Sequence, residues 1–329
     1  MEDIAKLAGV GRGTVSRALN GSPQVSQRAR VAIDQAVAEL GYVPNRAARS
    51  LVTGRTDSVA LVVSESEERF FSEPFFARIV RGVSAQMAGS PRQLLLTMAQ
   101  SREDRQRLEN YLTRQHVDGV MLLSLHGRDR LPQRLEKRGM ATVLGGRPLQ
   151  GTPRSFVDVD NFGGAVAAVA HLVATGRRRI VTIGGPLDMA ASRTRLEGFR
   201  QAVRNAGLPD DPMLVEHGDF TAGSGSMAMA VLLDRVPNLD AVFAASDLMA
   251  EGALRLLRER GRCVPDDVAV VGFDDSPVAA STEPQLTTVH QLVEEMGRRM
   301  AQVLAARIDG VETELQVTLD THLVVRSST

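Results

Sequence analysis

The spacing of hydrophobic residues changes character near residue 58. Before that point apolar positions recur every three or four residues, as on one face of a helix. Ile4, Leu7 and Ala8 form one such set, Val15 and Leu19 a second, and Ile33, Ala36, Val37 and Leu40 a third. The pattern predicts three short helices. Gly9 ends the first, and Asn20-Gly21-Ser22-Pro23 stops the second. Ser26 is placed to cap the third. Pro44 to Leu51 allows two further helical turns, too few to be stable alone. Thr53-Gly54-Arg55-Thr56 reads as a linker.

From Ser58 onward, short apolar runs alternate with amphipathic stretches. The runs are Val59–Val63, Leu94–Met98, Val117–Leu123, Ala141–Leu144, Phe156–Val159, Ile180–Ile183, Ala241–Ala245 and Val268–Phe273. Candidate helices between them cover 76–87, 104–114, 162–174, 193–205, 224–233 and 248–260. Strand–helix alternation of this kind predicts an α/β fold with parallel sheets covered by helices. About ten strands exceed one comfortable sheet, so two similar lobes are expected. Asp158 to Asn161 suits a first crossing between them, and Thr282 to Thr288, with Pro284, a second.

Charge separates the two regions further. The 329 residues carry 39 basic and 39 acidic side chains, but residues 1–56 hold eight basic against four acidic. A basic head on an acidic body suits contact with a polyanion. A single cysteine, Cys263, excludes an internal disulfide framework and a Cys-rich zinc site. No apolar run reaches membrane-spanning length, and the acidic start lacks a signal-peptide pattern, so a cytoplasmic location is expected. Enzymatic motifs are missing. There is no phosphate-binding Gly-x4-Gly-Lys-Ser/Thr, no Gly-x-Ser-x-Gly elbow and no His-Glu-x-x-His. The six histidines are scattered, and no catalytic residue, cofactor or metal is expected.

Ala8 to Arg17 fits a helix-turn-helix. The glycine supplies the turn, Val10, Val15 and Leu19 hold the helices together, and Arg12, Gly13, Ser16 and Arg17 stay on the outer face. Arg12 or Arg17 can bridge guanine O6 and N7 in a major groove. Asp3-Ile4-Ala5, Ala8-Gly9-Val10 and Thr14 to Asn20, with Gly41 to Asn45 and Ala48 to Leu51, resemble the LacI/GalR family of bacterial transcription regulators. The resemblance continues in Asp160-Asn161, Gly184-Gly185-Pro186, Arg193-x-Arg195-x-x-Gly198-Phe199, Ser246-Asp247, Val271 to Asp275 and Pro284 to Thr288.

The resemblance implies a helix-turn-helix head at 1–43, a hinge helix and linker at 44–57, and a periplasmic-binding-protein-like core at 58–329. The first lobe would take about 58–157 and 285–318, the second about 158–284 and 319–329. It implies a homodimer on a pseudo-palindromic DNA operator, away from membranes, and a small effector that is a sugar or sugar derivative. Besides the four outer-face residues, Thr14, Asn20, Tyr42, Asn45, Ala48, Arg49 and Leu51 would meet DNA. Leu51 would be an apolar wedge in the minor groove. Ser64, Phe76, Arg195, Phe220, Ser246, Asp247 and Asp274 would form the effector site. Arg195 and Asp274 offer a donor fork and a two-oxygen acceptor to vicinal hydroxyls. The chain departs from the family pattern in three places. Helix 1 has no capping threonine, Gly11 replaces an N-cap serine, and Leu144-Gly145-Gly146-Arg147 stands where some relatives carry an acid. The expected function is a ligand-responsive repressor of a carbohydrate-utilisation operon. The alternatives are a sugar sensor that binds no specific DNA and a sugar-active enzyme.

Leu51→Ala is expected to weaken operator binding about tenfold, or roughly 1.4 kcal/mol, with the melting of the core unchanged. A gel-shift titration checks it, and unchanged affinity would remove the wedge role.

Overall fold

A computed structural model describes residues 1–19, 22–42, 55–114, 116–127 and 129–329. The chain divides after Asp57 into a head and a core. The head holds α1 (Glu2–Leu7), α2 (Arg12–Leu19) and α3 (Gln27–Glu39). Ile4, Val15, Ile33 and Ala36 are buried at their centre, with Ala8, Val10, Leu19, Val37 and Tyr42 packed around them. Gly9 takes a left-handed φ of +64°, the conformation that a side chain disfavours and that this tight turn needs. Ser26 caps α3 by accepting the Ala29 N–H at 3.3 Å. Leu7 and Leu40, expected on the inner stripes, are largely exposed, because both lie at helix ends where the chain turns away. No side chain caps the start of α1.

The core contains two six-stranded sheets. The first uses β1 (Ser58–Val63), β2 (Gln93–Met98), β3 (Gly119–Leu123), β4 (Ala141–Gly145), β5 (Phe156–Val159) and β11 (Gln316–Leu319), in the order β11-β5-β4-β3-β1-β2. All its pairings are parallel. The second uses β6 (Ile180–Gly184), β7 (Val215–His217), β8 (Ala241–Ala244), β9 (Ala269–Asp274), β10 (Thr287–Gln291) and β12 (Thr321–Val324), in the order β12-β10-β9-β8-β6-β7. Only β12 runs antiparallel, against β10.

The sheets are buried on both faces, which explains their continuous apolar runs. Along β8, Val242 and Ala244 face one core cluster, while Ala241 and Phe243 face another. Helices α10 (Ala222–Arg235) and α11 (Asp247–Glu259) cover the first cluster, and α8 (Asn161–Ala174) and α9 (Ala190–Asn205) the second. The first sheet carries α4 (Glu67–Ser72), α5 (Pro74–Met87), α6 (Arg102–Leu112), α7 (Leu131–Lys137) and α13 (Val293–Asp309). Short α12 (Pro277–Ser281) follows β9.

The chain crosses between lobes at Asp160, Leu292 and Asp320. The second crossing lies later than the expected 282–288. Pro284 ends the loop after α12, but the chain then runs on through β10 in the second sheet. The lobe boundary at 285 therefore moves to about 292. Strands β7, β11 and β12 escaped the sequence pattern because they are three or four residues long and only partly buried, and β10 escaped it because its buried Thr287, Thr288 and Gln291 are polar.

Both lobes bring two helices into backbone contact. A Cβ on Gly82 of α5 would lie 1.9 Å from the Glu294 carbonyl oxygen of α13, and one on Gly252 of α11 equally close to the Ala222 oxygen of α10. Gly252→Ala is expected to destabilise the core by about 1–3 kcal/mol, the usual cost of overpacking. Urea unfolding measures it, and an unchanged midpoint would contradict this close approach.

Candidate functional site

In the head, α2 presents Arg12, Gly13 and Arg17 to solvent, with Thr14 and Ser16 half-buried beside the inward Val15. Arg12 pairs with Glu2 at 2.9 Å, a fully solvated contact of little energetic weight. Arg17 Nε donates to the Gly13 carbonyl at 3.2 Å. Nothing lies within 4 Å of a Cβ placed on Gly13, so this surface is open to a partner. Tyr42 packs against the head core and donates its backbone N–H to Val37 O at 3.1 Å. Asn20, Asn45, Ala48, Arg49 and Leu51 lie outside the described residues.

In the core, the C-terminal ends of the strands of both lobes meet around a cavity of about 80 Å³. Such crevices are where open α/β sheets bind ligands. The walls include Phe75, Ser124, Arg147, Asp158, Arg195 and Gln291. The volume holds a few waters, well below the several hundred Å³ of a typical ligand pocket. A larger groove of about 950 Å³ lies away from these strand ends, between α11 and the 280–285 loop.

Arg195, on α9, is 6% exposed. Its Nε donates to Asn161 Oδ1 at 2.8 Å and its Nη1 to the Ala245 carbonyl at 2.6 Å. The guanidinium lies 3.7 Å over the Phe273 ring and 3.6 Å from Asp274 Oδ1. Burial pulls its pKa down, and Asp274, Asp158 and Glu73 oppose that. Asp274 accepts the Gln291 Nε2–H at 2.5 Å, yet burial raises its pKa well above the carboxylate range against the pull of Arg195. Burial also raises Asp158. Asp275 behaves differently. Burial works against its charge, but Arg326 at 2.6 Å and His290 at 2.7 Å hold its pKa low. The two adjacent carboxylates thus serve separate networks, as their opposite directions at a strand end require.

Backbone strain gathers here. Ser124, Phe220, Asp274 and Asp275 all have positive φ without being glycine. Residues in such conformations cost about 1–3 kcal/mol and cluster at functional sites.

The other expected contacts move. Phe76 is a core residue, stacked on Phe70 and edge-on to Phe75, and it is Phe75 that reaches the cavity. Phe220 packs in the second-lobe core beneath the Arg69 guanidinium, 5.3 Å away. Ser246 caps α11 through the Met249 N–H. Asp247 is fully buried and accepts from Thr288 Oγ1 at 2.5 Å and the Ser276 N–H at 2.7 Å. Burial pushes its pKa up to about 6. It braces β10 and α12. Ser64 bonds its N–H to Leu123 O at the end of β1. Sequence reasoning passed over Asp158, Asn161 and Gln291. An acid inside the apolar run Phe156-Val157-Asp158-Val159 was the available signal.

Contacts between lobes hold this state. His126, after β3, has Nδ1 3.0 Å from Asp188 Oδ2 of the second lobe and Nε2 2.9 Å from Glu65 Oε1 of the first. Gly127 N–H reaches the Asp188 carbonyl at 2.8 Å. Arg78 of α5 donates to the Asp274 and Asp275 carbonyls at 3.4 and 3.3 Å.

Comparison with known proteins agrees with this architecture. Residues 1–45 match the family model for bacterial regulatory proteins, lacI family, and residues 169–329 a periplasmic binding protein-like domain. The HTH-type transcriptional regulator CelR of Thermobifida fusca is 56% identical over 100% of this chain and 97% of its own. A solved complex of transcriptional regulator CelR with cellobiose is 53% identical, covers 100% of this chain and 99% of its own, and gives a TM-score of 0.81. A lac repressor dimer bound to operator and the anti-inducer ONPF is 27% identical, with coverage of 99% and 97% and a TM-score of 0.85. The chain belongs to the lacI family of bacterial regulatory proteins. It is a ligand-responsive, DNA-binding transcriptional regulator. No helix among the described residues is long and apolar enough to cross a membrane.

The hydrogen bond from His126 to Glu65 raises the histidine pKa against the opposing effect of burial, with Glu65 and Asp188 charges adding to the rise. Of the groups facing the ring, Arg69 is already engaged by Glu65 at 2.9 Å. The His126 contacts, first to Glu65 within its own lobe and second to Asp188 across the lobes, therefore contribute fully below the unfolded histidine value of about 6.5 and are lost as pH rises through the higher folded value. Between pH 6 and 8.5 the wild type is expected to lose about 2–4 °C more in Tm than His126→Gln. Parallel melting curves across that range would remove the latch.

Proposed function

We propose that this chain represses a carbohydrate-utilisation operon and that its effector is cellobiose or a closely related β-linked glucose disaccharide. The observation that carries this reading is the buried Arg195–Asp274 pair at the strand ends, in a chain 53% identical to a cellobiose-bound regulator. A planar donor fork beside a two-oxygen acceptor suits vicinal hydroxyls. Phe75 and Met296 give an apolar wall for the face of a sugar ring. The protein works in the cytoplasm as a homodimer and carries out no catalysis. Residues 1–43 read the operator, 44–57 form the hinge, and 58–329 bind the effector and the second protomer. Arg12, Gly13, Thr14, Ser16, Arg17, Asn20, Tyr42, Asn45, Ala48, Arg49 and Leu51 line the DNA side.

The switch is a linkage. If the sugar prefers the conformation that the operator does not, operator affinity falls by that differential affinity and no more. A gel shift on an operator selected from random DNA, with and without cellobiose, tests the reading. Cellobiose at 100 times its Kd is expected to weaken operator binding at least tenfold. Arg195→Ala is expected to abolish that response while the unliganded protein still binds operator. A response that survives in Arg195→Ala would overturn the site, and tighter operator binding with cellobiose would reverse the sign of the switch.

A further inference from the structure

The sequence after β4 offers glycines and an arginine where some relatives carry an acid, yet the first lobe does bring a carboxylate, Asp158, to the cavity. Strands β4 and β5 pair in parallel, Leu144 opposite Phe156 and Gly145 opposite Val157. The next residue on β5 is Asp158, level with Gly146 and beside Arg147. Asp158 is 7% exposed and borders the cavity. Its Oδ1 accepts the Val159 N–H at 2.8 Å and the Asn161 Nδ2–H at 3.0 Å. Its Oδ2 faces Arg147 Nε at 3.9 Å. Arg147 is itself positioned, with its guanidinium 4.9 Å over the Phe156 ring and an Nη2 hydrogen bond to Thr318 Oγ1 at 2.9 Å. Gly146, with a left-handed φ of +90° and open space where a Cβ would stand, adds no side chain beside this pair, while Gly145 makes room for Leu123 and Met300 of the core.

Asn161 joins the two lobes' charged pairs into one polar rail. Its amide nitrogen donates to Asp158 and its oxygen accepts from Arg195 Nε, while Arg195 faces Asp274. Each end of the rail is a guanidinium beside a buried carboxylate. Such a pair reads adjacent hydroxyls as donor and acceptor together. Two pairs in line offer two donor-and-acceptor sites, which two linked rings can fill.

We infer that Arg147 and Asp158 form a second hydroxyl-reading subsite, which takes the distal ring of a disaccharide whose first ring lies on Arg195 and Asp274. The inference rests on the proposed disaccharide effector and names the residues that separate it from a monosaccharide. A carboxylate acceptor held in low-dielectric surroundings rejects a ring that lacks the hydroxyl, because the acceptor is then buried without a partner.

Calorimetric titration of the full-length protein with cellobiose and with glucose tests it. The wild type is expected to bind cellobiose at least tenfold more tightly than glucose. Asp158→Asn and Arg147→Ala are each expected to weaken cellobiose at least tenfold and glucose less than threefold. Arg147→Lys, which keeps the charge but loses the fork, is expected to recover only part of the loss. Thermal melting without sugar checks folding, and the half-exposed Arg147 carries the test if Asp158→Asn does not fold. Equal losses for both sugars, or none for either, would overturn the subsite while the disaccharide reading stands. A wild type that binds neither sugar, or binds both equally, would overturn both.

Discussion

Arg195 places a cation where solvent barely reaches, and the geometry of the cleft follows from how that charge is compensated. Leaving such a charge without a partner costs about 3–5 kcal/mol. Its compensation comes from four directions: the Asn161 amide, the Ala245 carbonyl, the Phe273 ring and the Asp274 carboxylate. Ala245 and Asp274 lie at the ends of adjacent strands of the second sheet, and Asn161 is the first residue after a crossing from the first. One side chain therefore fixes the floor of the second lobe and the point where the chain enters it. The same desolvation raises Asp274, which faces Arg195, and Asp158, which borders the cavity, so the charge of each is costly without a donor. Polyol hydroxyls are donors of that kind.

Positive φ recurs where strands end, at Ser124 after β3 and at Asp274 and Asp275 at the end of β9. Asp275 shows what holds such a strand end, since Arg326 and His290 clamp its carboxylate from β12's end and from β10. Asp247 braces the neighbouring turn through Thr288 and the Ser276 N–H. Both acids serve the site by fixing its backbone.

The lobes meet around a cavity of about 80 Å³, smaller than a typical ligand pocket. Direct contacts join the lobes beside it: His126 to Asp188, Gly127 to Asp188, Arg78 to the carbonyls at 274 and 275, and Arg69 over the Phe220 ring. Polar contacts at a lobe boundary exchange readily with water and differ by little between states. A ligand then needs only a modest preference to move the balance. Arg78 lies on the same helix as Phe75 and ends on the backbone of Asp274, so the cavity wall and the latch share elements of both lobes.

Sequence alone determined the alternation of strands and helices and the three helices of the head with their Gly9 turn and Ser26 cap. These are local properties, written in spacing and residue chemistry, whereas Arg195 and Asp274 stood out through the resemblance to the family. It did not determine that Phe75 reaches the cavity while Phe76 is buried, since adjacent residues on an amphipathic helix differ only by rotation toward a neighbour. It did not separate Asp247, a brace, from Asp274, the partner of the cavity residues Arg195 and Gln291. It placed one crossing at Pro284, although the chain first completes β10. Asp158 reaches the cavity because β4 and β5 pair in one register, and the carboxylate missing after β4 is supplied by the next strand. Strand order and register set which side chains converge, and neither is encoded in any short window of sequence.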